Sequence, residues 1–439
     1  MTGVIETTHG ATEAEVVVPF AEALRAWARV AALSFGGPAG QIAVMHRIVV
    51  EEKGWVDEAR FLRGLNFAML LPGPEAHQLV IYLGWLMNGV RGGVAAGALF
   101  ILPGFLAMLA LSAVYVAWGD TGLVAGLLFG LKAAVLAIVL QALTRIARRA
   151  LTSGFRRAVA VAAFIAMFLF AVPFPLVILG AGLLGWLAGR GEAPPPAGPA
   201  GRRGAGWAPL VLLALWLVPV AALVLGLGMG NVFARLAVFF SQMAVVTFGG
   251  AYAVLAYVAQ VAVETYGWLL PGEMLDGLGL AEATPGPLII VVQFVGFLAA
   301  FRAPGVLDPW VAGVLGSVLV VWVTFLPSFV WALLGAPQVE RLHAIPALGE
   351  ALSAITAAVV GVILNLAVWF ALHVVFGELR PWSGFGMSLD LPVWASIDPA
   401  ALVLTLGAAV AVLRLRLGMG PVLAIWAGLG LAWRLAAGA

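Results

Sequence analysis

Ser34-Phe35-Gly36-Gly37-Pro38 and, further on, Leu71-Pro72-Gly73-Pro74 decide how this sequence is read, because both return as Thr247-Phe248-Gly249-Gly250-Ala251 and Thr284-Pro285-Gly286-Pro287. Between Phe35 and Pro74 the chain aligns with Phe248 to Pro287 at a constant offset of 213 with no gap, and 15 of these 40 positions are identical. The identities include Glu51/Glu264, Gly54/Gly267, Trp55/Trp268, Gly64/Gly277 and Ala68/Ala281. Chance does not produce such a match. Both copies set helix-breaking residues in apolar surroundings, where freed backbone groups must line a cavity or bind something.

Those surroundings are those of a membrane protein. Hydrophobic residues make up 63% of the 439 and charged residues 10%, a balance that a soluble globule of this size could not cover with polar surface. The stretch 1–19 is polar, with Glu6, Glu13 and Glu15 and no basic n-region, so it reads as a cytoplasmic N-terminus without a signal peptide. The first membrane element is expected near Phe20. A formal net charge of +2, with the basic residues in loops, gives no support for nucleic-acid binding. The absence of cysteine excludes disulfides and thiolate chemistry, and His9, His46, His77, His343 and His373 form no metal-ligand spacing. No Walker A sequence occurs, so no cofactor, metal or ATP hydrolysis is expected, and an enzyme is not expected either.

The duplication reaches beyond the opening block. Pro103-Gly104-Phe105 matches Pro327-Ser328-Phe329 at an offset of 224, and Ala181-Gly182-Leu183 matches Ala427-Gly428-Leu429 at 246. Repeats therefore cover 20–190 and 232–439, joined by a segment 191–231 that holds a Pro/Gly/Arg-rich linker and one apolar run at about 208 to 228. A single crossing between two equivalent units inverts the second relative to the first. Charge agrees: the loop from His46 to Arg63 carries Arg47, Lys53, Arg60 and Arg63, whereas its counterpart from Gln260 to Glu282 has no Lys or Arg. Arg145, Arg148, Arg149, Arg156 and Arg157 mark the loop at 145–157 as cytoplasmic, and the loop at 377–398 then faces outward.

The fold class is accordingly all-α and polytopic, with two inverted-topology repeats, broken or re-entrant helices and an odd number of spans. Two counts are open. Either 22–45 and 64–90, with their counterparts, cross fully and the chain has 13 spans, or each is a broken hairpin and there are nine spans plus four hairpins. Half-helices of ~11 residues rise ~17 Å, about half the hydrocarbon core, so the hairpin count is feasible and keeps the basic loop inside. Both place the N-terminus in the cytoplasm and the C-terminus outside.

These residues resemble the chromate ion transporter family in its long, internally duplicated form. The resemblance rests on Ser34 to Pro38, Lys53-Gly54-Trp55, Leu71 to Ala76 with Gln78-Leu79, Tyr82-Leu83-Gly84-Trp85, and the second-copy motifs, and so spans nearly the full length. It implies transport of chromate, usually efflux across the bacterial inner membrane. Sulfate or another oxyanion, an anion channel, and a membrane-embedded oxyanion reductase are the rival readings, and a homo-oligomer is compatible with the sequence. The copies differ where Glu75, His77 and Pro38 become Leu288, Ile290 and Ala251.

A tetrahedral dianion must exchange its hydration for donors, which helix N-termini supply together with a partial positive charge. The expected substrate residues are therefore Phe35, Gly36, Gly37, Pro72, Gly73, Pro74 and Gln78, with Phe248, Gly249, Gly250, Pro285, Gly286 and Pro287. Lys132 joins them as a cation near the middle of an apolar run, where a charge costs ~2.5–3.5 kcal/mol, unless it merely snorkels to an interface. Glu75, His77 and Glu282 beside the Pro-Gly-Pro breaks are the candidates for carrying a coupling proton. The bland alternative for the breaks is that they kink helices and allow close packing.

Overall fold

Capping residues and breaks divide the chain into sixteen α-helices among the described residues of this computed structural model, which are 18–35, 37–189, 205–248, 250–338 and 346–437. Gly36, Gly249 and nearly all of the proposed linker lie outside them. Helix α1 (Phe20–Leu33) follows Pro19, buries Ala23, Trp27 and Val30 at helical spacing, and stops at Ser34 before the Phe-Gly-Gly break. Helix α2 (Gly37–His46) runs into a π-helical turn, Arg47–Glu52. Asp57 caps α3 (Glu58–Leu70) by accepting from the Arg60 N–H at 2.8 Å. After Pro72-Gly73-Pro74 comes α4 (Glu75–Trp118), in which Asn88 and Gly89 leave helical geometry and divide the helix in two. Four further helices complete the first half and the connection: α5 (Gly122–Ala150), α6 (Gly154–Phe168), α7 (Phe174–Ala188) and α8 (Ala208–Leu227).

The second half repeats these elements in order: α9 (Val232–Val246), α10 (Ala251–Gln260) with its π-helical turn Val261–Thr265, α11 (Pro271–Glu282), α12 (Val291–Arg302) and α13 (Pro309–Gly335), then α14 (Pro346–Val375), α15 (Pro399–Ala409) and α16 (Met419–Ala437). The break at Asn88 and Gly89 corresponds to the loop 303–308 between α12 and α13, and Pro103 within α4 corresponds to Pro327 within α13. Among the described residues six helices, α4, α5, α8, α13, α14 and α16, are long and apolar enough to cross a bilayer. This is a multi-pass membrane protein. The loop at 377–398 is not wholly irregular. It folds into a β-hairpin of β1 (Leu379–Gly384) and β2 (Met387–Pro392), because Phe385 (φ 54°) and Gly386 (φ 76°) form the left-handed two-residue turn that antiparallel strands favour.

Each pair of short helices doubles back on itself. Lys53 Nζ lies 2.8 Å from Glu22, and Arg29 pairs with Glu52, so α2 ends beside the start of α1. The rings of Phe67 and Tyr82 (5.6 Å) join α3 to α4, those of Phe239 and Tyr257 (5.3 Å) join α9 to α10, and Arg302 meets Glu273 at 2.5 Å across α11 and α12. Two ends of the molecule follow from these contacts. Asn88 donates to the Val18 carbonyl at 2.8 Å, which puts the end of the α3–α4 hairpin beside the start of α1. From there the rest of α4 rises about 43 Å, and Gly119 and Asp120 beyond it line one cavity with Glu273 and Arg302. The Glu273 and Arg302 end of the α11–α12 pair therefore lies at the far end of α4 from Asn88.

The halves are interleaved. Helix α5 packs against α15 and α16 of the second half, and α14 against α6 and α7 of the first. Small residues permit this: Gly130 of α5 faces the Trp426 carbonyl of α16, and Gly185 of α7 faces the Glu350 carbonyl of α14.

Candidate functional site

The four breaks meet one another in two crossed pairs. Gly73 donates its N–H to the Thr247 carbonyl at 2.7 Å, and Gly286 donates to the Ser34 carbonyl at 2.8 Å. These are one interaction made twice, since Gly73 and Gly286, like Ser34 and Thr247, stand at equivalent positions of the two copies. The hydroxyls of Ser34 and Thr247 each turn back to a carbonyl of their own helix, Val30 and Met243, at 2.6 Å. The long helices complete the pairing. Gly104, after Pro103, lies against Pro285 and Gly286, and Ser328, after Pro327, lies against Gly73. A break in each half is thus closed by backbone from the other, which satisfies peptide groups that proline and glycine removed from the helices.

Polar side chains gather at this junction. Gln41 Nε2 donates to the Gly286 carbonyl at 2.5 Å, Gln78 Nε2 to the Pro72 carbonyl at 2.6 Å, and Gln293 Nε2 to the Phe105 carbonyl at 3.0 Å. Glu75 and Glu282 converge on the first turn of α10. A β-carbon on Gly250 would lie 3.9 Å from Glu75 Oε1, while Tyr252 donates its hydroxyl to Glu282 Oε1 at 2.7 Å. His77 has a different setting. It is fully buried among the rings of Phe100, Phe325 and Phe329, at centroid distances of 5.0 to 6.4 Å. It packs as a core side chain. Phe35, half-exposed, and Phe248 flank the breaks, and Phe248 and Pro72 line an apolar crevice with Trp331 and Leu179.

Lys132 stands apart from the breaks. Its Nζ is 3.2 Å from Asp276 Oδ2, to which Tyr115 also donates at 3.1 Å. All three line a cavity of about 400 Å³ with Asp120, Glu273, Arg302 and Arg434, and no described residue of the four breaks belongs to that lining. Helix α11 links the two regions, with about 9 Å of helix between Asp276 and Glu282. Arg302 holds Glu273 and donates to the Trp268 carbonyl at 3.0 Å.

The family model described as chromate transporter matches residues 21–186 and 234–433, one match on each half. The chain belongs to the chromate transporter family. Among its relatives, the chromate transport protein of Pseudomonas aeruginosa is 33% identical over 373 residues, covering 81% of this chain and 82% of that protein. The chromate transport protein of Cupriavidus metallidurans is 30% identical over 349 residues, 78% of this chain and 80% of the relative. A probable chromate transport protein of Synechococcus elongatus is 29% identical over 342 residues. No solved structure matches significantly.

Within this transporter the motifs pointed to the breaks, and not to what closes them. Gln41, Tyr252 and Ser328 carry no repeat signature, since their counterparts are Val254, Ala39 and Gly104. Asp276 had a usable signal: its counterpart is Arg63, so the repeat reverses the charge at that position, and only packing reveals that Lys132 answers it.

Proposed function

We propose that this protein carries chromate across the bacterial inner membrane as a secondary active exporter, with the anion bound where the four breaks meet. One observation carries the reading: the reciprocal bonds from Gly73 to Thr247 and from Gly286 to Ser34, which aim paired backbone donors from both halves at one buried junction. On loading, these N–H groups and the first turns of α2 and α10 turn from the carbonyls to the anion, whose charge the helix N-termini favour. Glu75 and Glu282, both facing the start of α10, carry the coupling proton. His77 shapes the wall of the site, and Lys132 supplies a positive charge along the route.

The two halves form inverted repeats, the four doubled-back pairs are re-entrant hairpins, and nine helices cross. The Glu273 and Arg302 end of the α11–α12 pair, at the far end of α4 from Asn88, supports this, as does the contrast between four basic residues in one hairpin loop and none in the other. The arginine-rich turn after α5 faces the cytoplasm and the β-hairpin faces outward. Relatives named as chromate transport proteins favour chromate over sulfate. Purified protein in proteoliposomes tests the reading. An imposed pH gradient should drive chromate to a higher concentration on one side, and Gly286→Leu should abolish this while still inserting. Flux that only dissipates a chromate gradient would make the protein a channel, and preferred accumulation of sulfate would change the substrate.

A further inference from the structure

The cavity around Lys132 contains an arrangement that the junction of breaks does not explain. Asp276 is 4% exposed, and both of its donors, Lys132 Nζ at 3.2 Å and Tyr115 Oη at 3.1 Å, address the same oxygen, Oδ2. Its other oxygen, Oδ1, is buried without a hydrogen-bond partner among the described residues. A buried carboxylate with one oxygen unsatisfied holds its charge poorly. Beside it Glu273 is fully engaged, held by Arg302 at 2.5 Å and 2.8 Å and by the Leu270 N–H at 2.8 Å. Asp276 is thus the buried acid of the cavity that is incompletely held, and Lys132 is the basic side chain there that pairs with it.

We propose that Asp276 and Lys132 form a proton-gated anion site, in which protonation of Asp276 releases the Lys132 ammonium to a tetrahedral oxyanion in the cavity. The inference rests on the transport reading and adds to it a second station and its gate. With Asp276 ionised, Lys132 is neutralised by its own protein, and an incoming dianion meets a negative neighbour at close range. Protonation moves one hydrogen ion from the cavity water to the carboxylate. The lysine keeps its proton and its charge, Tyr115 frees its hydroxyl as a second donor, and the anion binds with uptake of one proton. The charged groups facing the site are Lys132 from α5, Glu273 from α11, Arg302 from α12, Arg434 from α16 and Asp120 from the turn before α5, with Tyr115 from α4. Glu273 and Arg302 offset each other, so the balance at the site turns on Asp276.

Lys132 thereby has a reason to lie deep in an apolar helix, and Asp276 a reason to occupy the position that is Arg63 in the other half. The site is also distinct from Glu75 and Glu282, which face the start of α10.

Chromate affinity of the purified transporter, measured by titration calorimetry across the neutral pH range in two buffers of different ionisation enthalpy, tests the gate. Wild type should take up about one proton per anion and lose affinity about tenfold per pH unit above its midpoint. Asp276→Asn should bind with no such slope, and the ratio of the two affinities cancels the titration of chromate itself. Lys132→Met should bind at least about tenfold more weakly at every pH. Tyr115→Phe, which takes a donor from the carboxylate, should move the midpoint up by roughly one pH unit, and it decides the matter if Asp276→Asn fails to fold. An Asp276→Asn protein that follows the wild-type slope, a Lys132→Met protein of normal affinity, or an unmoved midpoint in Tyr115→Phe would overturn the gate while flux of the wild type still upheld transport. Wild-type protein that neither binds nor moves chromate would overturn both.

Discussion

Replacing Gly73 by alanine asks how tightly the crossed breaks are built, and Gly286→Ala provides the internal control. Both residues sit at positive φ, +128° and +102°, where an L side chain costs about 1–3 kcal/mol. Their surroundings differ. A β-carbon on Gly286 would find its nearest neighbour, Gly104 Cα, at 3.5 Å, an ordinary contact. A β-carbon on Gly73 would lie 2.7 Å from both Gln78 Nε2 and Ser328 Oγ, so something must move. If Gln78 moves, its bond to the Pro72 carbonyl goes with it, for about 0.5–1.5 kcal/mol, and displacing Ser328 adds an overpacking cost of about 1 kcal/mol. Gly286→Ala should therefore lower stability by about 1–3 kcal/mol, and Gly73→Ala by about 2.5–5.5 kcal/mol. Ser328→Gly copies the Gly104 of the other half and should return about 1 kcal/mol to the Gly73→Ala background. The assay is the unfolding midpoint of the detergent-solubilised protein by tryptophan fluorescence, with chromate flux recorded on the same samples. Equal losses in the two alanine variants, or no coupling between positions 73 and 328, would refute the packing argument.

Three further outcomes are expected. Cysteines introduced at Lys53 and Asp390, in a chain with none of its own, should be labelled from opposite faces of intact cells, Lys53 from the cytoplasm; labelling of both from one side would end the inverted hairpin topology. Gln41→Leu removes the side-chain donor to the Gly286 carbonyl and should lower stability by about 1–3 kcal/mol in the same unfolding assay, whereas a neutral result would mean that this carbonyl is satisfied otherwise. Glu75→Gln and Glu282→Gln should each leave chromate exchange intact in proteoliposomes while removing concentrative transport driven by a pH gradient, and accumulation at the wild-type level in both would take the proton route away from α10.

Much of the architecture was legible before any coordinates. A block repeated at a fixed offset, with Phe-Gly-Gly and Pro-Gly-Pro in apolar runs, sufficed to predict helices broken at 34–37 and 71–74 and again in the second copy, because proline removes a helix donor and glycine readily adopts the non-helical backbone of a break. The insertion that shifts the offset from 213 to 224 appears as the loop 303–308, where α4 has only its interruption at Asn88 and Gly89. The two-stranded hairpin was missed because one left-handed Phe385-Gly386 turn, and not an apolar pattern, organises that loop. The setting of His77 was out of reach for a related reason: next to Pro-Gly-Pro a histidine reads as polar lining or a proton carrier, and only packing shows three phenylalanine rings around it.

What the sequence by itself determined was where helices must stop, which segments suit a bilayer and which positions are equivalent, since these depend on backbone sterics and transfer free energy, both properties of residues in order along the chain. Only the tertiary structure decided which break closes which, and that Lys132 answers Asp276 and leaves the breaks to their own backbone. Those pairings join residues well over a hundred positions apart. They depend on how α5 and α14 cross into the opposite halves, a matter of packing geometry that no local pattern encodes.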